Sequence, residues 1–88
     1  MASYRLLIKP SAAREIEDIP KKDRLRIIKR IQALSSNPRA PGCEKLSGED
    51  KYRVRQGHYR IVYAVSDADL TIVVVKVGHR REIYRQDM

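Results

Sequence analysis

Lys51, Arg53, Arg55 and Arg60 stand in one short window, Lys51 to Ala64, that contains no acid. A second window, Lys76 to Arg85, adds Lys76, Arg80, Arg81 and Arg85 against Glu82 alone. Together the two carry seven of the eight positive charges in a formal net charge of +8. Cations clustered this way suit a polyanion, because each neutralised phosphate releases condensed counterions. His58, His79 and Tyr84 lie in the same windows. They add groups that can move protons or stack on a base. Guanidiniums beside imidazole and phenol are the means for phosphodiester chemistry without a metal. Neither histidine has a cysteine partner or an acidic cluster nearby, and dense cations repel an ion. No metal and no cofactor are therefore expected.

Those side chains need elements to hold them. Tyr4 to Lys9 alternates as a first strand, with Tyr4, Leu6 and Ile8 on one face. Pro10 is expected to end it and Ser11 to cap a short helix, Ala12 to Ile19, that Pro20 breaks. Asp23 to Ser35 reads as a second helix, its stripe Leu25, Ile28, Ile31 and Leu34 widened by Ile27. Lys22, Arg26, Lys29 and Arg30 line its other side, where cations are usually solubilising. Pro38 to Asp50 reads as a loop. Three strands follow: Lys51 to Gln56, Tyr59 to Ser66, and Leu70 to Val77, which Gly78 exits. Arg80 to Arg85 reads as a short helical tail.

The order β-α-α-β-β-β with that tail predicts an α+β fold of two layers and one domain, residues 1–88. An N-terminal strand and an αα-hairpin pack on a mostly antiparallel, twisted sheet whose second face stays open. Phe and Trp are absent, so the core must be aliphatic, with tyrosines at its margins.

If Gly57-His58 is a two-residue hairpin turn, Gln56 pairs with Tyr59, Arg55 with Arg60, Val54 with Ile61 and Arg53 with Val62. Cross-strand partners share a face, so Arg53, Arg55 and Arg60 converge on the side away from Tyr52, Val54, Ile61 and Tyr63. Like charges placed opposite one another destabilise a hairpin. Setting Arg55 against Arg60 accepts that cost, which makes sense if an anion lies between them. On a helical tail Arg80 and Tyr84 are four apart and share a face, so a tail folding back brings them to the same concavity.

Composition excludes other classes. At 42% hydrophobic and 34% charged residues the chain is that of a folded domain. Its longest apolar run, Leu70 to Val75, is too short to cross a bilayer. No basic helix has the interfacial pattern, so no membrane partner is expected. The N-terminus runs straight into a charged stretch, which predicts no signal peptide and a cytoplasmic location. Cys43 is the sole cysteine and can form no internal disulfide.

The chain resembles toxins of the RelE/ParE superfamily, from prokaryotic toxin–antitoxin pairs. The resemblance rests on Lys45-Leu46-Ser47-Gly48, Tyr52-Arg53-Val54-Arg55, Gly57-His58-Tyr59-Arg60-Ile61-Val62-Tyr63 and Val77-Gly78-His79-Arg80-Arg81-Glu82-Ile83-Tyr84-Arg85. It implies a metal-independent endoribonuclease that enters the ribosomal A site of the 30S subunit and cuts mRNA there by 2′-OH attack. By the same resemblance Arg60 and Arg80 stabilise the phosphate, and Tyr84 orients the base and assists the chemistry. Arg53 and Arg55 stand where well-known members have lysine, and an arginine is effectively always protonated. The base is then left among His79, His58 and the Tyr84 phenolate, or no efficient base exists. Replacing His79 or Tyr84 is expected to slow cleavage strongly. Lys51, Arg53, His58, Arg81 and Arg85 are expected to bind RNA, and Arg55, Arg60, His79, Arg80 and Tyr84 to carry catalysis. The resemblance also implies an acidic antitoxin as partner. The ParE branch, which poisons DNA gyrase without cutting RNA, is the main rival. A non-catalytic nucleic-acid-binding module is the third reading.

Overall fold

The computed structural model describes residues 3–46 and 50–79. Its elements run β1 (Arg5–Ile8), α1 (Pro10–Glu17), α2 (Lys21–Leu34), β2 (Cys43–Lys45), β3 (Lys51–Gln56), β4 (Tyr59–Ser66) and β5 (Thr71–His79). Pro10 opens α1 rather than merely closing β1, and Lys9, not Ser11, is the N-cap. At the first helical position the missing N–H of proline would have no partner anyway, and its fixed φ suits the helix. Pro20 acts in the same region as the N-cap of α2. Both helices therefore start two residues earlier than their apolar pattern alone predicts.

In α2 the buried residues are Ile27, Ile31 and Leu34, whereas Leu25 is 56% and Ile28 36% exposed. A strict three-residue spacing drifts by roughly 60° per step around a helix with 3.6 residues per turn, so it cannot stay on one face. The i, i+4, i+7 set can, and it is the one that meets the sheet.

The five strands lie in the order β1-β5-β4-β3-β2, with β1 parallel to β5 and every other pair antiparallel. Tyr52, Val54, Ile61, Tyr63, Val74 and Val77 bury the inner face against Ala12, Ile16, Ile27, Ile31 and Leu34. Ile61 and Tyr63 are fully buried there, each contributing roughly 1.5–3 kcal/mol of transfer free energy. The Tyr63 hydroxyl donates to the Pro38 carbonyl at 2.6 Å, and burial pushes this phenol well above the usual tyrosine range.

Two further departures from expectation matter for the site. β2 is a real edge strand inside the stretch read as loop, with Cys43, Glu44 and Lys45 opposite Val54, Arg53 and Tyr52. It begins after Gly42, whose φ of +97° makes the turn that L side chains rarely adopt. β5 continues past Gly78, which still pairs with Arg60, and Leu70 lies in the preceding turn with φ +48°. A bulge sits where Val62 faces Lys76 and Tyr63 faces Val74. Beyond the end of β1 the free edge of β5 is capped by α1. Glu15 accepts from the Val77 N–H at 3.1 Å and from the Lys76 ammonium at 2.5 Å, which satisfies an otherwise open edge.

A clasp absent from the sequence reading closes the other end. Arg39 donates to both oxygens of Asp67, at 2.9 and 3.1 Å, and through Nε to the Tyr52 hydroxyl at 2.8 Å. The Tyr4 hydroxyl donates to the same carboxylate at 2.7 Å. The start of the chain, the α2–β2 connection and the β4–β5 turn are thereby tied to one anion. Among the described residues no helix is long and apolar enough to cross a membrane.

Candidate nucleic-acid interface

The hairpin that carries the arginines owes its register to its turn. Gly57 has φ +62°, as the first position of a two-residue II′ turn requires, and glycine takes that angle at no steric cost. Gln56 then faces Tyr59, Arg55 faces Arg60, Val54 faces Ile61, Arg53 faces Val62 and Lys51 faces Ala64. Strand alternation sends Val54 and Ile61 inward and Lys51, Arg53, Arg55 and Arg60 to the outer face.

These cations are not equivalent. Arg55 is exposed, whereas Arg60 is only 5% exposed although it lies on the face expected to be open. Val62, next along that face, is buried as well. The outer face is thus closed around Arg60 and accessible at Arg55. A phosphate approaching it meets Arg55 first, with the Arg60 charge set behind.

Glu44 is the residue that sequence reasoning missed. From β2 its carboxylate meets the Arg53 guanidinium at 3.0 Å. Arg53 holds that carboxyl below the usual glutamate range by hydrogen bond and charge, and Arg60 and Arg55 add to the effect. Glu44 therefore stands ionised within the field of all three arginines. No periodicity announces it, because a three-residue edge strand is too short to alternate visibly.

The histidines lie elsewhere. His79 pairs with Tyr59, whose ring meets it edge-on at 5.9 Å, and His58 lies nearly parallel to it at 6.3 Å. Gly78, one residue earlier, is the partner of Arg60, so alternation turns His79 toward the helices. There it lines a cavity of about 290 Å³ with Glu15, Asp18, Ile19 and Tyr59. The expectation that His79 joins the arginines is corrected on that ground, and His58 sits at the hairpin tip. Arg80, Arg81, Tyr84 and Arg85 lie outside the described residues. Among the described residues no three His, Cys, Asp or Glu side chains converge as a metal site would need.

The family model described as the ParE toxin of type II toxin–antitoxin systems, parDE, matches residues 6–84. Toxin RelE of Mycobacterium tuberculosis is 27% identical over 86 residues, covering 96% of this chain and 89% of that one. Toxin RelG of the same organism is 40% identical over 35 residues, and the match spans only 40% of either chain. Among solved structures, the archaeal RelE–RelB complex from Pyrococcus horikoshii superposes with a TM-score of 0.76 at 27% identity, over 89% of this chain and 96% of that one. The sheet, the two helices and the near-complete match agree: this chain belongs to the ParE toxin family of type II toxin–antitoxin systems, within the RelE/ParE superfamily.

Proposed function

We propose that this toxin is a ribosome-dependent endoribonuclease that cuts mRNA in the A site and so stops translation. The observation that carries the reading is the Arg55–Arg60 pair, set directly across the hairpin with Arg53 and Lys51 on the same face. In-line attack of a 2′-OH on the neighbouring phosphate leaves a 2′,3′-cyclic phosphate and a 5′-OH. The pentavalent phosphorane gains negative charge, and fixed guanidiniums beside it stabilise that charge without reorganising. Metal ions have no required step in this route.

Proton transfer needs a different group, since an arginine does not give up its proton. Glu44 is the acceptor that the geometry offers, as it is ionised and adjoins Arg53. A carboxylate held at low pKa is a weak base, so efficient cleavage depends on the ribosome aligning the 2′-OH. Arg80 and Tyr84 keep the roles implied by resemblance, phosphate stabilisation and base orientation, and the Tyr84 phenol is proposed in addition as the proton donor to the leaving 5′-oxygen. Arg81, Arg85, Lys51, Arg53 and His58 remain proposed RNA contacts.

Its partner in the cell is proposed to be an acidic antitoxin, as the solved relative from Pyrococcus horikoshii is a RelE–RelB complex. A net charge of +8 favours fast, salt-sensitive capture of such a protein. The ribosomal target implies a cytoplasmic site of action.

The family model's ParE description favours a second reading, a DNA gyrase poison without nuclease activity. One experiment separates them. Purified toxin is added to translating ribosomes and mRNA ends are mapped, in parallel with a gyrase supercoiling assay. Cuts within A-site codons are expected; inhibited supercoiling with intact mRNA would replace the nuclease reading with the gyrase one.

A further inference from the structure

The outer sheet face does not stop at the hairpin arginines. Successive cross-strand rows on it are Arg55–Arg60–Gly78, Arg53–Val62–Lys76, Lys51–Ala64–Val73 and, at the far end, Ser66–Thr71–Arg5. That last row lines a groove of about 470 Å³, floored by Ala64 and Val73 and bordered by Asp69. From Arg60 to Ser66 is six residues of strand, roughly 20 Å. That span suits about four nucleotides of an extended single strand, the lower end of single-strand site sizes.

The far end is built rather than incidental. The Ser66 hydroxyl donates to Asp69 Oδ2 at 3.1 Å and accepts the Asp69 N–H at 3.3 Å, and Thr71 Oγ1 donates to the Asp69 carbonyl at 3.0 Å. The turn thus holds the Asp69 carboxylate at the groove's rim. Arg5 is exposed and lines the groove. A guanidinium that binds phosphate and a carboxylate that accepts a 2′-OH, over an apolar floor, match one ribonucleotide better than a bare anion.

We propose that this groove is a second RNA subsite, in which Arg5 takes a backbone phosphate and Asp69 the ribose 2′-OH of a nucleotide about three steps from the one at Arg55. The subsite rests on the RNA reading above and extends it from a point of cleavage to a track from exposed Arg55 along β3, past Lys51, because Val62 on β4 is buried.

The test is anisotropy of labelled single-stranded RNA of three and eight nucleotides bound to the full-length toxin, with RNA integrity checked on gels. Arg5→Ala is expected to weaken the octamer about tenfold and the trimer less than twofold. Its log–log salt slope should fall by about 0.7, the loss of one phosphate contact on a single strand. Asp69→Asn is expected to shrink the preference for RNA over DNA octamers about threefold or more. Octamer affinity and salt slope unchanged in Arg5→Ala, or equal losses on trimer and octamer, would overturn the subsite. A wild type that binds with this length dependence yet cuts no ribosomal mRNA would remove the nuclease reading and leave the track standing. A wild type that binds neither RNA would remove both.

Discussion

Among the described residues, two places bring arginine to carboxylate, and they balance their charges differently. In the clasp, one guanidinium is spread over both oxygens of Asp67 and the Tyr52 hydroxyl, and its Cζ lies 5.2 Å from the centre of the Tyr52 ring. On the outer face, among the described residues, Glu44 meets Arg53 and lies in the field of Arg55 and Arg60. The clasp is an arrangement that is complete by itself. On the outer face two like charges, Arg55 and Arg60, are held directly opposite one another, an arrangement that costs stability. The contrast separates a charge matched by its carboxylate from like charges set side by side.

Arginine substitution gives the largest expected effects and splits the two regions cleanly. Arg55→Ala should lower A-site cleavage about a hundredfold, the loss typical of a single transition-state donor. Its urea midpoint should stay close to wild type, since Arg55 is exposed. Arg39→Ala should do the reverse, lowering the midpoint while folded molecules cut at the normal rate. If Arg39→Ala impairs cleavage in fully folded protein, the division between holding and acting fails. Next in size is Tyr63→Phe, which leaves the buried Pro38 carbonyl without its donor. A loss of about 1–3 kcal/mol in denaturant unfolding is expected, with cleavage per folded molecule unchanged.

Why the outer face was legible and the clasp was not is a matter of range. The hairpin depends on two adjacent residues, Gly57 and His58, and on a side-chain period of two, so the Arg55–Arg60 pairing follows from local sequence. The α+β order and the inner-face residues of β3 and β4 follow from the same periodicity. Glu44 and Arg39 sit in a stretch rich in proline and glycine, where no period exists to read, and their partners lie 9 and 28 residues away. His79 shows the other failure. Proximity in sequence to Arg80 put it among the arginines, but the bulge between Val62 and Tyr63 and the extension of β5 past Gly78 settle which way it turns.

That difference between Glu44 and His79 is open to a direct comparison. Glu44→Gln keeps size and hydrogen bonding to Arg53 but removes the proton acceptor, and about a tenfold loss in cleavage rate is expected. His79→Ala should slow cleavage less than Glu44→Gln, because its ring stands on the helix side with Tyr59. Measured as single-turnover rates on ribosomes, the opposite ranking would return the base to His79. It would also mean that the tip of β5 rearranges when RNA is bound.

The smallest expected effect is confined to the clasp and to pH. Arg39, and then Tyr4, hold the Asp67 carboxyl below its ordinary range through their hydrogen bonds. A depressed folded-state value contributes stability that is present above the unfolded-state value and is lost as pH falls through the folded one. The same Tyr4–Asp67 hydrogen bond, its largest cause, raises the Tyr4 phenol above its ordinary value. That contribution is present below the unfolded tyrosine value and is lost as pH rises through the folded one. The clasp should therefore stabilise across the neutral range and weaken at both extremes. Asp67→Asn removes the charge that draws Arg39, so its urea midpoint should lie below wild type near neutrality and merge with it in acid. Parallel curves down to the acid limit would mean that Asp67 acts through shape alone, and the contrast with the hairpin arginines would then rest on geometry rather than charge.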